Sequence, residues 1–195
     1  MAPLSDTLLL RKKLVAQPGR SLLRGNHRKQ AAVAAILRDG TSGAEVLLIR
    51  RAEREGDPWS GHMALPGGRH DPTDTDLLHT AIRETEEEVG LSLPASSLVA
   101  PLDDLEAVAR GRRTGMLIRP YVFHLTSPSP PVLRPNYEVA ETLWTPLAPL
   151  YAGTHNTERP YEIGGQVWKL PAWDVDGRIV WGLTHRILSN LLEHV

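Results

Sequence analysis

Residues 66–91 read PGGRHDPTDTDLLHTAIRETEEEVGL, a Gly-Gly loop running into an acidic, strongly periodic segment. The periodicity predicts a helix over 77–90, with Asp74 or Asp76 capping its start and Gly90 suited to its left-handed end. At about 100° per residue, Leu78, Ala81, Ile82, Thr85 and Val89 share one arc, the expected core face. Glu84, Glu87 and Glu88 share a neighbouring arc, and Glu86 points away. This acidic cluster is locally unfavourable. Glu84–Glu88 and Glu84–Glu87 are like-charge pairs one turn apart, each costing about 0.2–0.5 kcal/mol. The cluster also lies in the last two turns, where the helix dipole is negative and a carboxylate costs up to about 1 kcal/mol. A break with local rules on one face marks a candidate site. A hard divalent cation, which prefers oxygen ligands, would relieve the conflict. A solvated acidic face relieved by Arg83 is the plainer alternative.

Outward from this helix, strands dominate. AAVAAILR (31–38) and EVLLIRR (45–51) read as a hairpin punctuated by Asp39-Gly40. The Gly-, Pro- and Asp-rich stretch 52–76 reads as loop, with MAL (63–65) a short strand. Upstream, Ser5 to Gln17 reads as a short helix capped by Ser5 and ended by Pro18-Gly19, followed by a basic loop to about Arg28. MLIRPYVFHL (116–125) reads as a strand whose Pro120 suggests an edge or a bulge. SPSPPVLRPN (127–136) is too Pro-rich for regular structure, and YEVAETLWTPL (137–147) gains β-character at its end. THNTERPYEIGG (154–165) reads as loop, GQVWKLPAW (165–173) as strand and turn, and GRIVWG (177–182) as a strand or helix entry. LTHRILSNLLEHV (183–195) is an amphipathic helix with Leu183, Ile187, Leu188, Leu191 and Leu192 on one side. Strands mixed with a few helices, in no regular alternation, predict an α/β sandwich with a mixed sheet.

Composition narrows the function. The chain has 195 residues, enough for one domain or a tight pair. Lys plus Arg is 22 and Asp plus Glu is 23, so the net charge of -1 does not suit a nucleic-acid-coating protein. The absence of Cys removes disulfides, thiolate metal sites and a Cys nucleophile. No apolar run approaches the ~20 residues of a membrane span, and the N-terminal apolar triplet precedes its basic residues, the wrong order for a signal peptide. A cytoplasmic protein without membrane or nucleic-acid partners is expected. The eight histidines show no zinc-ligand spacing, and neither G-x-S-x-G nor a P-loop occurs.

The PGGR segment, the fourteen residues between Gly68 and Arg83, and RETEEEVGL (83–91) together closely resemble the Nudix box. Its core reads R-E-apolar-x-E-E-x-G-apolar, and Arg83, Glu84, Glu87, Glu88, Gly90 and Leu91 match it as they stand. Thr85 fills the apolar slot. The spacing is one residue longer than the general pattern, with Asp74 where that pattern has Glu. The same expansion is a habit of the coenzyme A pyrophosphatase branch, which this wording resembles. Upstream, Arg51 and Gly61 fit that branch. His62 stands where Gln is usual, Leu65 where Phe is usual, and Asp57-Pro58-Trp59-Ser60 replaces a His-containing segment.

The resemblance implies a Nudix-type α/β/α sandwich and hydrolysis of a diphosphate. It implies a single Nudix domain over 1–195, with an N-terminal helix and basic loop in 1–28 and a C-terminal helix in 183–195. Glu84 and Glu88 are the implied ligands of Mg²⁺ or Mn²⁺. Glu87 is a third ligand or orients the water, and the Gly68 carbonyl is a backbone ligand. Arg83 would orient the glutamates by ion pairing, and Arg51 and Arg69 are candidates for diphosphate contact. Glu87 leads as general base, followed by Glu138 and Glu141, then by Glu158 and Glu162. Trp59 could stack on a base or pack its loop. Trp144, Trp168, Trp173 and Trp181 read as core or dimer-interface residues. The implied partner is a small nucleotide-diphosphate substrate, and the implied assembly is a homodimer. Coenzyme A or an acyl-coenzyme A would give 3′,5′-ADP and a 4′-phosphopantetheine product. ADP-ribose, nucleotide sugars and nucleoside triphosphates are the alternatives. A non-catalytic nucleotide-binding regulator is a third reading, though such proteins usually lose the box carboxylates kept here.

Overall fold

The computed structural model describes residues 4–22, 29–57, 59–109, 111–127 and 130–195. The end of the expected basic loop (23–28), Pro58 and the centre of the SPSPP segment (128–129) lie outside them. The elements run α1 (Leu8–Ala16), β1 (Lys29–Gly40), β2 (Gly43–Arg51), β3 (Met63–Ala64), β4 (Gly67–Arg69), α2 (Leu77–Val89), β5 (Leu98–Pro101), β6 (Leu105–Ala109), β7 (Arg112–Leu125) and β8 (Val139–Pro146). Then follow α3 (Leu147–Ala152), β9 (Asn156–Ile163), β10 (Gln166–Val175), β11 (Arg178–Trp181) and α4 (Gly182–Leu192).

The first eight strands form one mixed sheet along the path β3-β2-β1-β7-β5, with β4 on β1, β6 on β7 and β8 on β2. The β1–β7 pair is parallel and the other pairs are antiparallel. Alternation along β1 divides the core. Ala32, Ala34 and Ile36 pack with Leu77, Ala81 and Val89 of α2. Ala35 and Leu37 pack with Leu10 and Leu14 of α1, Leu147 of α3, and Ile187 and Leu191 of α4. Helices therefore cover both faces, which gives the expected α/β/α sandwich. The same cover explains why β2 is buried without a break from Gly43 to Ile49.

The β1–β2 hairpin forms as expected, in the register Leu37↔Val46 to Gly40↔Gly43. Three expectations need correction. Ser5 does not cap α1, which starts after Thr7 without a side-chain cap, while Leu8 N–H donates to Asp6 Oδ1 at 2.9 Å. Pro120 is neither at an edge nor at a bulge; β7 lies between β1 on one side and β5 and β6 on the other. It is tolerated because β6 pairs up to Ile118 and β5 starts at Tyr121. The Pro120 carbonyl still accepts from Leu102 N–H at 2.9 Å, so the missing donor faces this gap in the ladder. The stretch 154–165 is not a loop. Its centre is β9, the edge of a second sheet ordered β11-β10-β9. An edge strand accommodates Pro160, whose missing N–H need not serve a second neighbour.

Candidate active site

Helix α2 is fixed at both ends. Asp76 caps it by accepting from His79 N–H at 2.8 Å, and Gly90 ends it at φ 67°. Its buried face is Leu77, Thr80, Ala81, Thr85, Glu88 and Val89, with Leu78 and Ile82 only partly buried. The core arc is thus rotated toward Glu88, which is 3% exposed. Beneath this face, β4 pairs antiparallel with β1 through Ala32↔Gly68 and Val33↔Gly67. Gly67 N–H donates to Glu88 Oε2 at 2.9 Å. A Cβ on Gly68 would lie 2.4 Å from Glu84 Cδ, so only glycine lets the β4 backbone and this carboxylate approach so closely. Burial pushes the Glu88 carboxyl up to about 7, with the Glu84 charge adding, against the Gly67 amide and the Arg51 charge. Burial also pushes Glu84 up, against its pairing with Arg83.

Arg83 holds the acidic face in place. Its Nε and Nη2 donate to the two oxygens of Asp74 at 2.8 and 2.9 Å. Its Nη1 donates to Glu84 at 3.0 Å and Glu87 at 3.2 Å, and Nη2 reaches the Arg69 carbonyl at 3.3 Å. The Asp74 side chain is fully buried. It also accepts from Thr80 Oγ1 at 2.8 Å and Asp71 N–H at 3.0 Å, with His79 Nδ1 at 2.9 Å. The Arg83 guanidinium and these donors hold its carboxyl far below the usual carboxylate range. The Arg83 guanidinium is in turn pushed above its ordinary value, first by Asp74.

The other sequence candidates divide. Arg51 Nη2 pairs with Asp57 at 2.9 Å, and the Arg51 charge acts on Glu88. Its buried Nε has no hydrogen-bond partner among the described residues. The Arg69 side chain is exposed and makes no ion pair among the described residues. Trp59 is 37% exposed in the pre-box loop. Of the alternative bases, Glu138 is the one whose charge acts on Glu84 and Glu88, and it pairs with Arg54 at 3.1 Å. Glu141 is held by Arg178 and Arg50. Glu158 and Glu162 are exposed on β9, Glu158 pairing with Lys169 at 3.0 Å. Among the tryptophans, Trp173 is core at 4% exposure, but Trp168 is 53% exposed on the second sheet.

Among the described residues, no three His, Asp or Glu side chains already stand gathered around one point able to hold an ion. Arg83 draws Glu84 and Glu87, while Gly67 N–H holds one oxygen of Glu88. The donor set itself fits a hard cation: carboxylates on one helix face, one buried and one pressed against a glycine backbone.

The sequence reading left two features out. Asp74 serves as the buried partner of Arg83, and the nine-residue offset to an arginine in the box was its signal. His62, Tyr161, Trp181 and Arg159 also come together beside the site. Strand alternation in NTERPYEI, which puts Arg159 and Tyr161 on one face, was the available signal there.

The NUDIX domain family model matches residues 28–162. An uncharacterized protein of Schizosaccharomyces pombe is 44% identical over 114 residues, 56% of this chain, and the match spans only 34% of that relative. The human mitochondrial coenzyme A diphosphatase NUDT8 is 33% identical over 85% of this chain and 70% of its own length. A Nudix hydrolase NudL of Escherichia coli, itself uncharacterized, is 31% identical over 85% of this chain and 82% of its own. Among solved structures, a MutT/nudix family protein from Enterococcus faecalis aligns over 94% of this chain and 71% of its own, with TM-score 0.55 and 17% identity. The NUDIX domain of Shewanella oneidensis NrtR, complexed with ADP ribose, covers 72% of this chain and 86% of its own, with TM-score 0.51 and 20% identity. These two likenesses bear on the fold alone.

Proposed function

The chain belongs to the NUDIX family, as a Nudix hydrolase, and on that premise we propose that it cleaves the diphosphate of coenzyme A or an acyl-coenzyme A. The products are 3′,5′-ADP and a 4′-phosphopantetheine compound. The observation that carries the substrate is the one-residue expansion of the box, filled by an Asp74 that anchors Arg83, in a chain 33% identical to a human coenzyme A diphosphatase. Under this proposal residues 1–195 are one Nudix domain working as a cytoplasmic homodimer. Exposed Leu9, Val15, Val167 and Trp168 offer apolar surface for the second copy. No helix of the described residues is long and apolar enough to cross a membrane.

Glu84, Glu88 and Glu87, with the Gly68 carbonyl, are the groups that would hold Mg²⁺ or Mn²⁺. When bound, the cation supplies positive charge to the phosphoryl oxygens and acidity to a bound water. The protein's own contribution follows from its geometry. Arg83 keeps Glu84 and Glu87 on one side of the helix. Arg51 and Arg69 contact the diphosphate, whose oxygens match guanidinium forks. Glu87, exposed at the rim, takes the proton as water adds to one phosphorus. The bond from that phosphorus to the bridging oxygen breaks, and the second phosphate leaves with that oxygen. Trp59 closes over the base of the nucleotide half.

The experiment is turnover with Mg²⁺ and Mn²⁺ on coenzyme A, acetyl-coenzyme A, ADP-ribose, NADH, a nucleotide sugar and the nucleoside triphosphates, with products identified by mass. Preferred release of 3′,5′-ADP from the coenzyme A pair supports the proposal. Preference for another member overturns the substrate, and no turnover on any of them overturns the catalytic reading.

A further inference from the structure

Arg159 occupies an unusual position. Its guanidinium carbon lies 4.1 Å from the centroid of the Trp181 ring. Trp181 also meets His62 edge-on at 5.0 Å and Tyr161 at 5.2 Å. Arg159 is half-buried, yet it makes no ion pair among the described residues. Its neighbourhood is already cationic. The charges of Arg159 and Arg51 both act on the His62 ring, and Asp57 is the opposing charge. Asp57 is itself committed to Arg51 at 2.9 Å. His62 adds no counter-charge, since burial first, and then Arg159, depress its pKa and keep the ring neutral at pH 7. The His62 ring thus feels two cationic charges against one acidic one.

This cluster is joined to the box. His62 O accepts from Arg51 N–H at 3.0 Å, and the Arg51 charge reaches Glu88. Arg51 thus relates the two groups, through backbone pairing to His62 and through its charge to Glu88. Stacking on an aromatic face leaves the in-plane N–H donors of a guanidinium free and limits its rotamers. Trp181 is also the N-cap of α4 and forms no side-chain cap bond, so the first-turn amides add favourable potential for an anion.

We propose that Arg159, stacked on Trp181, anchors a second anionic group of the substrate: a phosphate monoester carried outside the diphosphate that is cleaved. In coenzyme A that group is the ribose 3′-phosphate, and this identification rests on the coenzyme A reading above. The diphosphate is served by Arg51 and Arg69 at the box, and Arg159 reads the far end of the nucleotide half. Discrimination for the phosphate monoester then comes from a cation on β9, in the second sheet, outside the box.

The test compares 3′,5′-ADP with 5′-AMP, and coenzyme A with dephospho-coenzyme A, in wild type, Arg159→Gln and Arg159→Lys, with folding checked by circular dichroism. Binding of the two nucleotides is measured by calorimetry, so this arm does not depend on turnover. Wild type should prefer 3′,5′-ADP over 5′-AMP. Arg159→Gln should reduce that preference about tenfold, with Arg159→Lys in between. The ratio of kcat/KM for coenzyme A to that for dephospho-coenzyme A should fall by the same factor, through KM. An unchanged nucleotide preference in folded Arg159→Gln overturns the assignment, as does a wild type with no preference. Loss of preference for 3′,5′-ADP in a protein that does not hydrolyse coenzyme A would uphold the subsite and reject the proposed substrate.

Discussion

The guanidinium of Arg83 closes on the buried carboxylate of Asp74 through two parallel bonds of 2.8 and 2.9 Å. The remaining Arg83 nitrogen reaches Glu84 and Glu87. One residue thus ties the loop before α2 to the acidic face of α2. Breaking a buried pair leaves an uncompensated charge, which costs about 3–5 kcal/mol. Arg83 is partly exposed, so the lower end applies, and Asp74→Asn should lose about 3 kcal/mol in urea unfolding. Its turnover should fall further than its folded fraction, because Arg83 no longer holds the glutamates in register. Wild-type stability in Asp74→Asn would show that the clamp is incidental.

Gly67 and Gly68 are adjacent but should fail in different ways. A Cβ on Gly67 would meet the Ala32 carbonyl oxygen at 2.3 Å and Val33 Cα at 2.6 Å, both backbone atoms, at φ +148°. Gly67→Ala should destabilise the fold by several kcal/mol, roughly the range of overpacking plus backbone strain. The atoms nearest to a Cβ on Gly68 all belong to the end of the Glu84 side chain. Gly68→Ala should therefore stay within about 1 kcal/mol of wild type by thermal unfolding, because a flexible carboxylate can swing away. Its metal-dependent turnover should drop at least about a hundredfold, the scale of one mispositioned catalytic group. Equal stability losses in the two variants would contradict this division.

Glu88 is a carboxyl kept at 3% exposure with its pKa pushed up to about 7 by burial. A raised carboxyl costs stability as pH rises past its unfolded pKa, and the cost is complete above its folded pKa, where the group must ionise in place. Glu88→Gln removes that charge and keeps an oxygen for Gly67 N–H. In metal-free buffer at pH 8 the variant should be at least as stable as wild type, by up to about 2 kcal/mol, and the difference should shrink toward pH 5. Thermal melts at the two pH values read it directly. A variant less stable than wild type at pH 8 would mean that Glu88 contributes more by pairing than it costs by desolvation.

His124, buried under α1, sets an acid limit at the other side of the sheet. Arg11 Nη1 lies 2.9 Å from its Nδ1, and Thr7 Oγ1 lies 2.9 Å from its Nε2. Arg can only donate, so Nδ1 accepts and the neutral ring donates from Nε2 to Thr7. Burial first, then the Arg11 charge, lowers its pKa, against the charge and bond of Asp39. A lowered histidine contributes stability that is fully present above the unfolded pKa of about 6.5 and is lost as pH falls through the folded value. His62 and His185 are shifted the same way, so global melts below pH 6.5 sum over all three. Amide exchange within α1 isolates His124. Protection of Leu10–Leu14 should fall between pH 7 and pH 5.5 in wild type and stay flatter in His124→Gln. Parallel pH profiles in the two proteins would rule out this histidine.

What the sequence made legible follows the physics of each element. Helix α2 announced itself through Asp76, Gly90 and a helical apolar repeat, all local signals. The β1–β2 hairpin was similarly local. Strand β4 was hidden because PGGR has the composition of a turn; it is a strand only through its pairing with β1. Strand β9 was hidden by Pro160 and the Gly164-Gly165 pair, and by an alternation with both faces polar; it forms on β10 over the register Ile163↔Gln166 to Asn156↔Trp173. Glu84, Glu87 and Glu88 were legible because they violate helix electrostatics, whereas the depth of Glu88 was not, since a charged residue reads as exposed. Alternation in β9 puts Arg159 and Tyr161 on one face, but the approach of Trp181 from β11 is long-range and no local pattern encodes it.

The central claim is that the carboxylates of α2 form the divalent-cation site of a hydrolase. Titration of Mn²⁺ into the protein, followed by electron paramagnetic resonance of the free ion, tests it most directly. Wild type should bind Mn²⁺ with a saturable stoichiometric site, and Glu84→Gln and Glu88→Gln, both folded, should each weaken that site at least about tenfold. Undiminished binding in both variants would place the cation elsewhere and contradict the account.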